Sequence, residues 1–316
     1  MQNGAQNMDL ALVTLQQVGI LFVLIVIGYV CGKTCVVTSE GKKVLSNFLI
    51  KAIVPAMIVN AYLNMEFDTQ ILSNLLLAFG LSFGSIFFAM VVSFLLLWKM
   101  KTKNKKVLWF AWSYSNAAYM GFPLVKGLFG DEGMIYASAF ATVFNIIIWS
   151  IGYAIMSGET DAKKLVKTVL KSPVTCSVVV GLLVYLCRIP VPEIIKAPIR
   201  MMGESTTPIS MIIIGVMIAE SRLKSIIANK EIWLTVAVRL VLIPALTFGL
   251  YYLFGIGGMV GSVILIQAAS PTAATTSVLA TQFNHDEAIG AGTVVVTTIC
   301  SIVTLTVFAM LLPLLG

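Results

Sequence analysis

Long apolar runs, separated by short and mostly basic connections, leave this chain few ways to fold. A helix that spans a bilayer needs roughly 20 mostly apolar residues. Such windows lie near 10–32, 44–62, 70–98, 107–129, 133–156, 173–187, 199–220, 232–253, 258–282 and 289–314. The runs are continuous and lack the apolar–polar alternation of an outer-membrane barrel. Only 11% of the 316 residues are charged, against about 25% in an ordinary soluble domain. That is too few to cover a soluble surface. Ten spans use about 200 residues, and the remainder, shared among short connections and tails, has no room for a large soluble domain. The expected architecture is an all-α, multi-pass protein of the cell membrane with ten transmembrane helices.

The basic residues orient those helices. Lys33, Lys42 and Lys43 follow span 1, and Lys99, Lys101, Lys103, Lys105 and Lys106 follow span 3. Lys163, Lys164, Lys167 and Lys171 follow span 5, and Arg222, Lys224 and Lys230 follow span 7. These alternate connections hold 15 of the 21 basic residues, whereas the opposite side has Arg188, Lys196 and Arg200. Cytoplasmic loops carry the excess of Lys and Arg, so both termini are expected outside. The net charge of +7 is then a topology signal, and no nucleic-acid partner is expected. Met1 to Asp9 has no basic stretch, so no cleavable signal peptide is expected. Cys31, Cys35, Cys176, Cys187 and Cys300 form no disulfide pattern, and no metal site or cofactor is expected.

Ten spans divide into two sets of five. Because five is odd, a duplicated second half enters the membrane inverted. The first repeat is expected over 1–156, a cytoplasmic connection over 157–172, and the second repeat over 173–316. Lys51 and Glu204 each stand four residues before a proline, Pro55 and Pro208. An offset of 155 superposes Ser115-Asn116 on Ser270-Pro271, and Asp131-Glu132 on Asp286-Glu287. Inverted repeats with interrupted helices in equivalent positions mark many secondary transporters.

Spans 4 and 9 carry the interruptions. Tyr114-Ser115-Asn116-Ala117-Ala118-Tyr119-Met120-Gly121-Phe122-Pro123 and Gln267-Ala268-Ala269-Ser270-Pro271-Thr272-Ala273-Ala274-Thr275-Thr276 cluster Ser, Asn, Thr and Gly with proline. Proline removes an N–H and clashes with the preceding turn. Ser before Pro suits an N-cap, so Ser270-Pro271 is expected to start a half-helix. Its free N–H groups and positive end suit an anion. Pro55, Pro208 and Pro244 read as simple kinks.

The pattern Ser115-Asn116…Gly121-Phe122-Pro123-Leu124, followed by Leu128-Phe129-Gly130-Asp131-Glu132-Gly133, resembles the fourth helix of the auxin efflux carrier family. Gly28-Tyr29 to Gly32, Arg239 to Pro244, and Ala269 to Ala274 resemble it too, as does Leu170 to Gly181 with Ile189-Pro190-Val191-Pro192. The resemblance covers nearly the whole chain. It implies two inverted five-helix repeats, broken helices 4 and 9 crossing beside the substrate, and a homodimer. Bacterial members are permeases for malonate, malate and related acids. The long central loop of plant members is absent, and Lys126 departs from the usual apolar residue.

The expected function is carriage of a small organic anion, such as malonate, malate or an auxin-like acid, by alternating access, not enzymatic catalysis. Candidate substrate-binding residues are Ser115, Asn116, Gly121, Pro123, Asn145, Ser270, Pro271 and Thr272. Candidates for a charge or H+/Na+ coupling role are Lys51, Glu204 and Arg239, with snorkelling or structural pairing as the alternative. Lys126 is expected to form a salt bridge with nearby Asp131 or Glu132 or to snorkel, and His285 to be a solvated loop residue. The competing functions are a symporter of another solute, coupled to sodium or protons, and a channel.

Overall fold

The computed structural model describes residues 2–65, 68–158, 161, 170–221, 226 and 228–316, with backbone alone for 2–15, 17 and 18. The described residues are helical throughout, with one isolated β-bridge and no strand. In chain order the helices are α1 (Gln2–Lys33), α2 (Ser39–Leu63), α3 (Thr69–Trp98), α4 (Lys105–Ser113) and α5 (Ala117–Ser157). They continue as α6 (Pro173–Leu186), α7 (Glu193–Glu220), α8 (Lys230–Leu253), α9 (Gly258–Ala269), α10 (Thr275–Gln282) and α11 (Glu287–Leu315). Six of them, α2, α3, α5, α7, α8 and α11, are long and apolar enough to cross a bilayer. Most of the expected connection 157–172 lies outside the described residues, as do Arg222 and Lys224.

Short polar side chains set several helix starts. Thr38, Asp68, Asn229 and Asp286 accept hydrogen bonds from N–H groups in the first turns of α2, α3, α8 and α11, meeting donors that have no partner inside the helix. Prolines accompany three of the four π-turns among the described residues, the fourth being Ile148–Gly152. Wide π-turns over Leu49–Ile53, Ala117–Gly121 and Ala237–Leu242 run up to Pro55, Pro123 and Pro244. A proline cannot donate to the preceding turn and pushes its carbonyl aside, and a π-turn accommodates both effects without ending the helix. Pro208 sits just beyond a break at Ser205 within α7. Gly130 turns α5 sharply, with φ 62° and ψ −148°. Spans 4 and 5 therefore join through this bend, while the first part of span 4 stands apart as α4.

The outside of the molecule is apolar. Phe22, Val23, Leu76, Phe83, Phe87, Phe94, Val303 and Val307 are exposed, whereas Ser82, Ser93, Thr247, Thr293 and Thr297 are buried. Those buried hydroxyls bond to carbonyls three or four residues earlier in their own helices. This inverts a soluble protein's distribution and fits a lipid environment, where backbone and side-chain polar groups find partners internally.

Small residues bring the helices together. A Cβ on Gly28 would lie 2.4 Å from the Ile212 carbonyl oxygen, and one on Gly215 would lie 2.1 Å from that of Ile25. α1 and the second half of α7 thus pack backbone to backbone, the small-residue mode of membrane helices. Their ends are tied by Lys33, which donates to the Ala219 carbonyl at 2.7 Å, and a Lys42–Glu220 ion pair ties the start of α2 to the same end of α7. Gly181 of α6 admits the Tyr62 ring of α2, and Gly203 of α7 admits Met57. α1, α2, α6 and α7 make one group, and α3, α4, α5, α8, α9, α10 and α11 pack among themselves beside it. Gly28→Leu should lower the thermal unfolding midpoint of the detergent-solubilised protein by several degrees, since overpacking costs roughly 1–3 kcal/mol. Gly80→Leu, where a Cβ meets nothing within 4 Å, should leave it nearly unchanged.

Candidate functional site

Two chain breaks meet inside the second group. α4 ends at Ser113, α9 ends at Ala269, and the extended residues that follow cross as an antiparallel bridge between Ser115 and Thr272. The Asn116 N–H donates to the Pro271 carbonyl at 2.7 Å, and the Ala273 N–H donates to the Tyr114 carbonyl at 2.9 Å. The chains then resume as helices, α5 from Ala117 and α10 from Thr275. Ser115 pairs with Thr272, two residues beyond Ser270, the partner that an offset of 155 gives it. Ser270 closes α9 and does not open α10: its hydroxyl donates back to the Ile266 carbonyl, and its ψ is 151°. The expected half-helix start at Ser270-Pro271 is thus displaced to Thr275. Pro271 instead offers its carbonyl to the crossing, and its missing N–H costs no bond there.

The carbonyl ends of α4 and α9 need donors, since the last turn of a helix leaves four C=O groups unpaired. Arg239 supplies them. Its Nε and Nη2 donate to the Ser270 carbonyl at 3.2 and 3.0 Å, Nη2 to Ala268 at 2.6 Å, and Nη1 to Trp112 at 3.2 Å. The side chain is 1% exposed. Arg239 therefore does not snorkel. Its planar fork, with donors on three nitrogens, suits several carbonyls at once. One turn earlier on the same face of α8, Thr235 accepts from the Trp112 indole N–H at 2.9 Å. Thr272 completes the set, donating to the Ala111 carbonyl at 3.0 Å while its own N–H reaches the Thr297 hydroxyl at 3.1 Å.

Beside the crossing lies a cavity of about 90 Å³. Ser115, Asn116, Asn145 and Thr275 give it polar edges, and Tyr119, Phe144 and Trp149 give it aromatic walls. No charged residue lines it among the described residues. Ala117 and Ala118, in the first turn of α5, and Ala274 and Thr275, at the start of α10, bring helix N-termini to the same space. The Ser115 hydroxyl, the Asn116 side-chain amide nitrogen and the Thr275 hydroxyl are buried without a protein partner. Native proteins seldom leave such groups unpaired. Asn145 donates to the Ala141 carbonyl at 2.7 Å, which leaves its amide oxygen as an acceptor.

The structure thus gathers Ser115, Asn116 and Asn145 at the cavity. Gly121, Pro123, Ser270, Pro271 and Thr272 are buried around the crossing but do not line it. Gly121 lets α5 press on α9, since a Cβ there would lie 1.8 Å from the Gln267 amide oxygen. Lys51 is exposed in its π-turn, and Glu204 is exposed just before the break in α7. Lys126 pairs with Asp131, whose other oxygen accepts from Asn64 at 3.1 Å. His285 is half-buried, with Nε2 2.9 Å from the Met156 carbonyl oxygen. Thr275 and Gln267 were not among the candidates. Gln267 is fully buried with both amide atoms unpartnered, and a polar amide within the apolar run of α9 is the sequence signal that marks it.

Replacing Arg239 strips donors from three carbonyls. Arg239→Met should destabilise the protein by at least about 3 kcal/mol, because hydrogen bonds from a charged group contribute about 1.5–3 kcal/mol each. The readout is loss of monodisperse protein on size exclusion and a lower unfolding midpoint. Arg239→Lys should recover only part of the loss, since a single ammonium cannot span the carbonyls as a fork does.

Known proteins share this sequence pattern over most of its length. The profile of the membrane transport protein family matches residues 13–168 and 161–309. The chain is 24% identical to an uncharacterized transporter of Methanocaldococcus jannaschii over 303 residues, 93% of this chain and 97% of that one. It is 22% identical to an uncharacterized transporter of Methanothermobacter thermautotrophicus over 302 residues, 92% and 96% of the two chains. The chain belongs to the membrane transport protein family, the auxin efflux carriers whose fourth-helix pattern it carries.

Proposed function

We propose that the protein carries a small organic anion, a mono- or dicarboxylate such as malonate, malate or an auxin-like acid, by alternating access around the crossing. The observation that supports this most directly is the Asn116 side-chain amide nitrogen, a donor buried at the cavity edge without a partner. Electrostatics point the same way. Each helix end counts as about half an elementary charge, so the carbonyl ends of α4 and α9 together amount to about −1 and Arg239 offsets them. The amino ends of α5 and α10 amount to about +1 and have no acid beside them in the cavity wall. A carboxylate would balance that charge, held by the amide of Asn116, the hydroxyls of Ser115 and Thr275, and first-turn N–H groups. The amide oxygen of Asn145 suits a hydroxyl on the substrate.

In this reading the chain has ten spans in two inverted repeats, 1–156 and 173–316, with both termini outside the cell membrane, and works as a homodimer. The group of α1, α2, α6 and α7 serves as the frame, and the group that holds the crossing rocks against it. A carrier coupled to sodium or protons is the second reading, and Gln267 favours it: its buried amide oxygen is free to ligate a cation.

Asn116→Ala should reduce uptake of the transported acid at least tenfold in proteoliposomes while protein level and unfolding midpoint stay within error. Unchanged uptake of every mono- and dicarboxylate tried would remove the crossing as the binding site. Purified protein screened against such acids should gain thermal stability with its substrate alone, because a ligand of the native state stabilises by mass action. Replacing sodium with choline, and Glu204→Gln under a proton gradient, separate the coupling modes: uptake indifferent to both excludes coupling to sodium or through Glu204. Saturable flux that accelerates when substrate is present on the far side distinguishes a carrier from a channel.

A further inference from the structure

A larger recess lies outside the crossing, on the lipid-facing side of α3 near its C-terminal end. Its volume is about 650 Å³, and its wall is almost wholly apolar apart from Lys105 and Lys106. Phe87, Val91, Phe94 and Trp98 of α3 line it at spacings of four, three and four residues, which places them in one stripe along a helix face. At 1.5 Å per residue the stripe is about 16 Å long, close to half of a 30 Å hydrocarbon core. These four side chains are exposed, while Met90, Leu97 and Trp109 form a buried floor. The stripe ends at Trp98, whose ring meets Phe94 edge-on at 5.4 Å. Beside it the Lys105 ammonium donates to the Trp98 carbonyl at 3.5 Å, with two N–H donors to spare.

We propose that this groove binds one anionic phospholipid, with an acyl chain along the α3 stripe and the phosphate at Lys105 and Lys106. Charge and shape agree on that occupant. The apolar length matches one leaflet, tryptophan stands where the hydrocarbon ends, as it does at membrane interfaces, and two cations lie just past it. The phosphate also meets the amino end of α4, whose cap residue Asn104 makes no capping bond and instead donates its side-chain amide to Glu231 at 2.7 Å. Basic pockets between helices at the cytoplasmic surface are suited to anionic headgroups, and each Lys near such a surface contributes about fivefold in affinity. A neutral lipid would satisfy the stripe and leave both lysines unmatched.

The test uses the full-length protein, delipidated in detergent, with retained lipid read by native mass spectrometry and stability by thermal unfolding. Phosphatidylglycerol should be retained and raise the unfolding midpoint, whereas phosphatidylcholine and inorganic phosphate should do neither. The K105Q/K106Q variant should bind phosphatidylglycerol roughly 30-fold more weakly, and K101Q/K103Q, whose lysines do not line the groove, less than threefold. Equal retention of phosphatidylcholine, displacement of phosphatidylglycerol by inorganic phosphate, or undiminished affinity in K105Q/K106Q would overturn the proposal. So would disulfide cross-linking of F94C between two copies in the presence of excess phosphatidylglycerol, which assigns the groove to a second copy. The comparison of headgroups on the unaltered protein decides the matter alone if the double variant cannot be purified.

Discussion

The guanidinium of Arg239 on the carbonyl ends of two broken helices is the contact on which the centre of this molecule depends. A helix that stops inside a membrane exposes carbonyls where no water can reach them. α4 and α9 both stop at the same place, so the unmet groups are doubled. One fully buried cation, donating to Trp112, Ala268 and Ser270, answers both ends. The exchange of backbone hydrogen bonds between Asn116 and Pro271, and between Ala273 and Tyr114, answers much of the remainder. With those groups satisfied, the extended crossing can exist at all.

The same arrangement divides the electrostatics of the centre. The negative helix ends are neutralised by the protein's own side chain. The positive ends open onto a cavity bordered by neutral Asn, Ser and Thr groups. In the proposed reading such a site attracts an anion yet contains no fixed positive side chain to hold it permanently, which suits a substrate that must also leave. Most of the buried polar side chains without partners among the described residues gather here: Ser113, Tyr114, Ser115, Asn116, Gln267, Thr275 and Thr276 lie at or next to the two breaks, and Thr175, Thr206, Thr298 and Thr304 lie elsewhere.

Much of the helical layout is legible in the sequence because the bilayer imposes it. Apolar length sets each helix, and Ser115-Asn116 and Ser270-Pro271 mark the breaks at 114–116 and 270–274. The pairing of Lys126 with Asp131 follows from a five-residue separation across a bend. The candidate site was only partly legible. Ser115, Asn116 and Asn145 reach the cavity, whereas Ser270, Pro271 and Thr272 spend their polar groups on holding the crossing. Both kinds of residue look alike in a string of letters, since Ser and Thr hydroxyls serve backbone carbonyls as readily as ligands.

What the sequence determined by itself is the class of protein and the places where its helices must fail. Sparse charge, long apolar runs and two polar segments that carry Ser, Asn, Thr and Pro are enough, because the solvent inside a membrane permits so few alternatives. Only the tertiary structure decided that Ser115 meets Thr272, that α10 begins at Thr275, and that Arg239 turns inward to the carbonyls of Trp112, Ala268 and Ser270. Those contacts join residues up to about 160 positions apart in sequence, and no local preference specifies them. They follow from packing two breaks at one depth, where each unmet backbone group takes the nearest donor or acceptor that the fold brings to it.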